Sequence, residues 1–156
     1  MDAIELLESQ HREAETLFTK IREAEPGERA ALAVELGQKL TGHMELEEQV
    51  FYPAAMAVDD LKVEHAAEEH EDAKPVLDLL LRLRGNEPSY LAIVDDLEQK
   101  IRAHVAEEEG RLFPECRQAM SAAQLDELGE EMVELLEAIE DQSVPLGSDD
   151  SFSLSP

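Results

Sequence analysis

Two stretches of this chain carry residue types at a spacing that could do chemistry. Residues 43–53 read HMELEEQVFYP and residues 104–114 read HVAEEEGRLFP. In each, a His is followed four residues later by a Glu, a second Glu comes next, and a Pro closes the stretch ten residues after the His. On an α-helix, residues four apart share a face and lie about 6 Å apart along the axis. Each copy therefore offers one imidazole and one carboxylate to the same point.

The same residues sit where a helical pattern reserves room for apolar side chains. His11 lies on the seam of Ile4, Leu7, Ala14, Phe18 and Ile21, and His70 on that of Val63, Ala66, Ala73, Leu77 and Leu80. His43 and Glu47 follow Leu36 and Leu40, and His104 and Glu108 follow Leu97 and Ile101. Burying an ionised carboxylate without compensation costs several kcal/mol or more, and a metal supplies the compensation. Six mixed imidazole and carboxylate donors are too many for one tetrahedral zinc and suit iron or manganese. If both glutamates bridge two six-coordinate ions, positions remain for a bridging oxo or hydroxo group and for exchangeable ligands. A His helix followed by a His-xxx-Glu helix occurs twice, which predicts pseudo-twofold symmetry.

The elements that must position these residues are helices. Aromatic residues make up 4% of the chain and Trp is absent, a composition suited to helix packed on helix. The periodicity predicts helices over 2–24, closed by Pro26-Gly27, and over 28–56. A third runs from a cap at Asp59 or Asp60 to Gly85-Asn86-Glu87-Pro88, and a fourth over 89–120 with Ser89 as its cap. The fold class is all-α, an antiparallel up-and-down four-helix bundle over 1–120. The pattern Ser121-Ala-Ala-Gln124 opens an accessory amphipathic helix over 121–141, with Leu125, Leu128, Met132, Leu135 and Ile139 on one stripe. That stripe covers either its own bundle or a second copy in a homodimer. Residues 142–156 are Ser-rich and aperiodic, the composition of a disordered tail.

With 38 acidic against 13 basic residues the formal net charge is −25, which repels phosphate backbones and anionic headgroups, so neither nucleic acid nor a membrane is an expected partner. The first residues have neither the basic start nor the apolar run of a secretory signal, and the lone Cys116 suits a reducing compartment. The expectation is a cytoplasmic protein.

At His11, His43, Glu47, His70, His104 and Glu108 the chain resembles the hemerythrin-like family, whose HHE-type members carry the ligand order His, His-xxx-Glu, His, His-xxx-Glu. The resemblance covers roughly residues 5–116. It implies a non-haem di-iron centre held by those six residues that binds oxygen, peroxide or nitric oxide. One departure concerns the third helix, where oxygen carriers of the family have two histidines four apart and this chain has Ala66 before His70. His65 is five residues back, about 140° round a regular helix, and points away from the site. A π-bulge between His65 and His70, signalled by Pro75, would swing it inward.

The function expected is handling of a small oxidant or diatomic gas at an open di-iron site, by sensing, binding or consuming it. The alternative is iron storage or iron sensing without turnover. Glu48 and Glu109 fall off the seam as solvated or supporting groups, Phe51, Leu112 and Phe113 wall the site, and Tyr52, half a turn from His43, is assigned no role. Some hemerythrin-like proteins enter encapsulin shells by C-terminal peptides. The tail, with apolar points at Val144-Pro-Leu146 and Phe152-Ser-Leu154, is loosely similar to these and offers a protein partner a docking segment.

Overall fold

A computed structural model describes residues 1–142 in full and residues 143–153 as helical backbone. The tail expectation and its apolar points fall almost wholly on residues 143–156, whose side chains lie outside the described residues. Helix α1 (Ala3–Glu23) opens with a capping box in which the Glu5 N–H donates to Asp2 Oδ1 at 2.9 Å and the Asp2 N–H to Glu5 Oε1 at 3.0 Å. Helix α2 (Pro26–Leu46) begins on a proline, which needs no intrahelical donor there. After α3 (Tyr52–Ala55), Asp59 caps α4 (Asp60–Arg82) by accepting from the Lys62 N–H at 3.1 Å. Gly85 ends that helix at φ +110°, a conformation only glycine adopts without strain. Helix α5 (Tyr90–Glu107) starts without a side-chain cap from Ser89, and in the loop before it the Glu87 carboxylate accepts the N–H groups of Arg84 and Gly85. Beyond it lie α6 (Phe113–Ala119) and α7 (Ala122–Ser153).

The second and fourth expected helices are each broken by a π-helical turn, over Glu47–Phe51 and over Glu108–Leu112. The cause is written in both copies of the sequence pattern. Pro53 and Pro114 lack an N–H, and their rings would strike the carbonyl four residues back in a regular helix. The chain widens instead, and the N–H groups of Tyr52 and Phe113 reach back five residues to the Glu47 and Glu108 carbonyls. No such turn occurs between His65 and His70. Helix α4 is α-helical throughout, Pro75 included, and His65 stays outside.

Helix α1 packs on α2, α2 on α4, α4 on α5, and α5 back on α1, which closes the bundle. Of the two covers open to the accessory helix, α7 takes its own bundle, lying on α1 and α2 with Leu125 and Met132 buried. The Ser121 hydroxyl and Gln124 amide cap it reciprocally at 3.1 and 2.8 Å. Gly129 lets it approach, since a Cβ there would meet the Met1 carbonyl at 2.9 Å. The apolar side chains form two clusters. One gathers Ile4, Leu7, Phe51, Tyr52, Phe113 and Met132, and the other Phe18, Ile21, Leu36, Leu80, Tyr90 and Leu97. The polar residues of the site lie where the two clusters meet. Among the described residues, no helix is long and apolar enough to cross a membrane.

Candidate metal centre

The structure brings all six sequence-predicted residues together in the middle of the bundle, each buried. Their donor atoms fall in two overlapping groups, His11, His43, Glu47 and Glu108 in one and Glu47, His70 and His104 in the other, with the atoms of each group within 4.8 Å of one another. Glu47 belongs to both. Its Oε1 lies 3.2 Å from His43 Nε2, 2.9 Å from His70 Nε2 and 3.5 Å from His104 Nε2. Glu108 faces the other way round, 3.2 Å from His11 Nε2 through Oε1 and 3.2 Å from His104 Nε2 through Oε2.

All four imidazoles turn Nε2 inward and Nδ1 to an acceptor. His11 Nδ1 donates to Glu109 at 2.7 Å and His70 Nδ1 to Glu48 at 2.7 Å, so the glutamate after each predicted ligand glutamate reaches across the bundle. His43 Nδ1 donates to Gln10 Oε1 at 2.7 Å and His104 Nδ1 to Glu69 at 3.0 Å. An acceptor on Nδ1 fixes the proton there and leaves the Nε2 lone pair free for a cation.

Tyr52 is the residue that sequence reasoning missed. Its hydroxyl donates to Glu108 Oε2 at 2.6 Å and lies 3.2 Å from both Glu47 Oε1 and His70 Nε2. On a straight helix it stands about 180° from His43, but the π turn holds one extra residue and rotates the next part of the helix back by about 100°. The signal was the proline that ends each copy. Phe113, at the matching place in the second copy, stacks on His11 with centroids 6.0 Å apart, and Phe51 meets it edge-on at 5.4 Å.

The electrostatics arise from burial and from the carboxylates. Burial alone would lower the pKa of His11, His70 and His104, yet the glutamates outweigh it and raise all three, His104 most clearly. For Glu47, burial favours the neutral form, but the charge of His43 and then hydrogen bonds with Glu108 and His104 hold its pKa well below the usual carboxylate range. Tyr52 is pushed up, first by burial and then by the charges of Glu47 and Glu108, so it keeps its proton and donates.

Four buried side-chain atoms at this point, His11 Nε2, His43 Nε2, Glu47 Oε2 and Glu108 Oε1, make no aligned hydrogen bond, although His11 Nε2 stands 3.2 Å from Glu108 Oε1 and His43 Nε2 3.2 Å from Glu47 Oε1. Orphaned buried polar atoms are rare and costly. Here they are lone-pair donors converging on one place, which is what a cation needs, and the set therefore fits metal ions. A cavity of about 20 Å³ touches all four imidazoles and is otherwise lined by side chains such as Ala14, Leu40, Ala73 and Ile101. His65 is not part of this group. It is half exposed, with Nε2 3.5 Å from Glu69 and 3.3 Å from Glu107.

Comparison with known proteins bears on the family and the fold. Residues 2–116 match the family model described as the hemerythrin HHE cation-binding domain. A solved HHE cation-binding domain-containing protein from Mycobacterium kansasii is 31% identical, covers 92% of this chain and 90% of its own, and superposes with a TM-score of 0.82. A DNA nickase from Nostoc sp. is 23% identical over 129 residues, 81% of this chain, and the chain spans 37% of that relative's length.

Proposed function

The chain belongs to the hemerythrin HHE cation-binding domain family, and from that premise we propose that it is a non-haem di-iron protein that binds, senses or consumes peroxide, oxygen or nitric oxide. His11, His43, Glu47, His70, His104 and Glu108 would hold the two irons. The observation that carries this reading is the convergence of four orphaned donor atoms with Glu47 common to both donor groups. Iron so held would supply Lewis acidity and one-electron redox chemistry.

The chain's own residues set what reaches it. A cavity of about 20 Å³ has room for about one water-sized molecule, which favours a diatomic gas or peroxide over an organic substrate. Phe51, Leu112 and Phe113 close the opposite side and keep water out. Tyr52 holds a proton 2.6 Å from Glu108 and steadies that carboxylate. The nicking activity of the Nostoc relative is not carried over, because a net charge of −25 opposes approach to a phosphate backbone.

Anaerobic reconstitution followed by metal analysis and an optical spectrum tests the proposal. Two irons per chain, and a spectrum that changes on adding peroxide, oxygen or nitric oxide, are expected. One zinc per chain, or iron that responds to none of the three, overturns it.

A further inference from the structure

Another His-xxx-Glu lies between the two already placed, His65 to Glu69 in the run HAAEEH. It faces outward from α4 and meets Glu107 of α5, and the His65, Glu69 and Glu107 donor atoms lie within 4.8 Å of one another. His65 and Glu107 are half exposed while Glu69 is mostly covered. Among the described residues no Lys or Arg comes within ion-pair distance of Glu69 or Glu107. The nearby Lys62 is held by Asp59 at 2.8 Å and Glu115 at 3.0 Å. Two carboxylates thus face His65 with no Lys or Arg to balance them.

This cluster is joined to the interior. Glu69 points one oxygen at His65 and the other at His104 Nδ1, 3.0 Å away. Glu69 and Glu107 also line a narrow cleft with Lys62, Ala66, Leu112 and Glu108. Glu108 is buried and belongs to the inner donor group, so the cleft links the half-exposed cluster with a residue of the buried centre. Ala66 puts only a methyl group along that wall.

We propose that His65, Glu69 and Glu107 form an outer site for a divalent transition-metal cation, from which ferrous iron passes along Glu69 and Glu108 to the buried centre. One imidazole and two carboxylates, completed by water, suit Fe²⁺, Mn²⁺, Co²⁺ or Zn²⁺. A half-exposed site holds its cation more weakly than the buried one and exchanges it faster, as an entry point requires. The surrounding negative field raises the local cation concentration. The destination rests on the di-iron reading, whereas the outer site does not.

Titration of the metal-free full chain with Co²⁺, read by its visible absorption, separates the two. Three equivalents are expected, two tight and one weak, with the weak one lost in both His65→Ala and Glu107→Gln. Three equivalents in both variants, or no weak equivalent in the wild type, overturn the outer site. A single equivalent that disappears in His65→Ala keeps the outer site and removes the buried centre. Fe²⁺ uptake under anaerobic conditions then tests the passage. His65→Ala should reach the same final iron content and spectrum more slowly, and an unchanged rate overturns the passage. Circular dichroism of both variants controls for folding, since both side chains are half exposed and neither belongs to an apolar cluster.

Discussion

The two halves of the bundle, α1 to α3 and α4 to α6, repeat one design, and three of the places where they differ bear on the site. His11 matches His70, His43 matches His104, Glu47 matches Glu108, and each half ends in a π turn before a proline. Even the supporting contacts repeat, since Glu48 reaches His70 and Glu109 reaches His11, both at 2.7 Å. Within that frame Tyr52 stands opposite Phe113, Gln10 opposite Glu69, and Ala55 opposite Cys116. Backbone symmetry therefore builds the six-donor cage, and side-chain asymmetry makes its two ends chemically different. One end has a buried proton donor and a carboxylate behind each of its two histidines, and the other has an aromatic wall and an amide behind one of its two.

Making the halves alike at Tyr52 has the largest expected effect. Tyr52→Phe removes the donor 2.6 Å from Glu108 Oε2 and leaves a buried carboxylate short of a partner. The metal-free protein should lose about 1–3 kcal/mol, read as a melting temperature lower by about 2–4 °C per kcal/mol. The reciprocal Phe113→Tyr should not restore it in the double variant, because the lost donor served Glu108 from the other side. An unchanged melting temperature for Tyr52→Phe would mean that the hydroxyl is a bystander and that the halves are equivalent after all.

The cage was legible in the sequence because it depends on spacing that a regular helix preserves. Four-residue separations, a doubled pattern and polar residues on apolar seams were enough to pick out His11, His43, Glu47, His70, His104 and Glu108, all of which the fold buries together. What was not legible depends on where the helix stops being regular. Assigning the irregularity to Pro75 placed it in α4 and drew attention to His65, whereas Pro53 and Pro114 widen the helices that carry the glutamates. A shift of one residue is enough to turn Tyr52 from the outside to the centre. The contacts from Gln10 and Glu69 were also hidden, since they reach between helices and no periodicity within one helix reports them. The accessory helix was readable as amphipathic, but its cover was not, because the close approach at Gly129 to the chain's first residues is a tertiary fact.

A smaller effect is expected where the halves differ behind the imidazoles. Gln10 accepts from His43 Nδ1 with a neutral amide, while Glu69 accepts from His104 with a carboxylate. Partners of this kind orient a ligating His and raise its basicity, and their loss costs about 10–100-fold in metal affinity. Gln10→Ala should weaken Co²⁺ binding at the His11 and His43 end by about tenfold, while Gln10→Glu should strengthen it. Equal titration curves for the three proteins would show that Gln10 does not tune the His43 end.

The smallest effect concerns Cys116, which stands where the first half has Ala55, both fully buried. Burial first, and then the charges of Glu115, Asp59 and Glu108, push the thiol from an ordinary 9.0 up to about 11. Between those two values the unfolded chain has released the thiol proton and the folded chain has not, so stability should fall as pH rises through that window and level off above it. Cys116→Ala should flatten that slope, and at neutral pH it should cost only about 1 kcal/mol, because a small thiol is exchanged for a methyl in a site already shaped like Ala55. Chemical denaturation of both proteins at several alkaline pH values measures the difference directly. If the slope persisted without the thiol, another group would be titrating at that end of the bundle, and the Ala55 and Cys116 positions would count as equivalent.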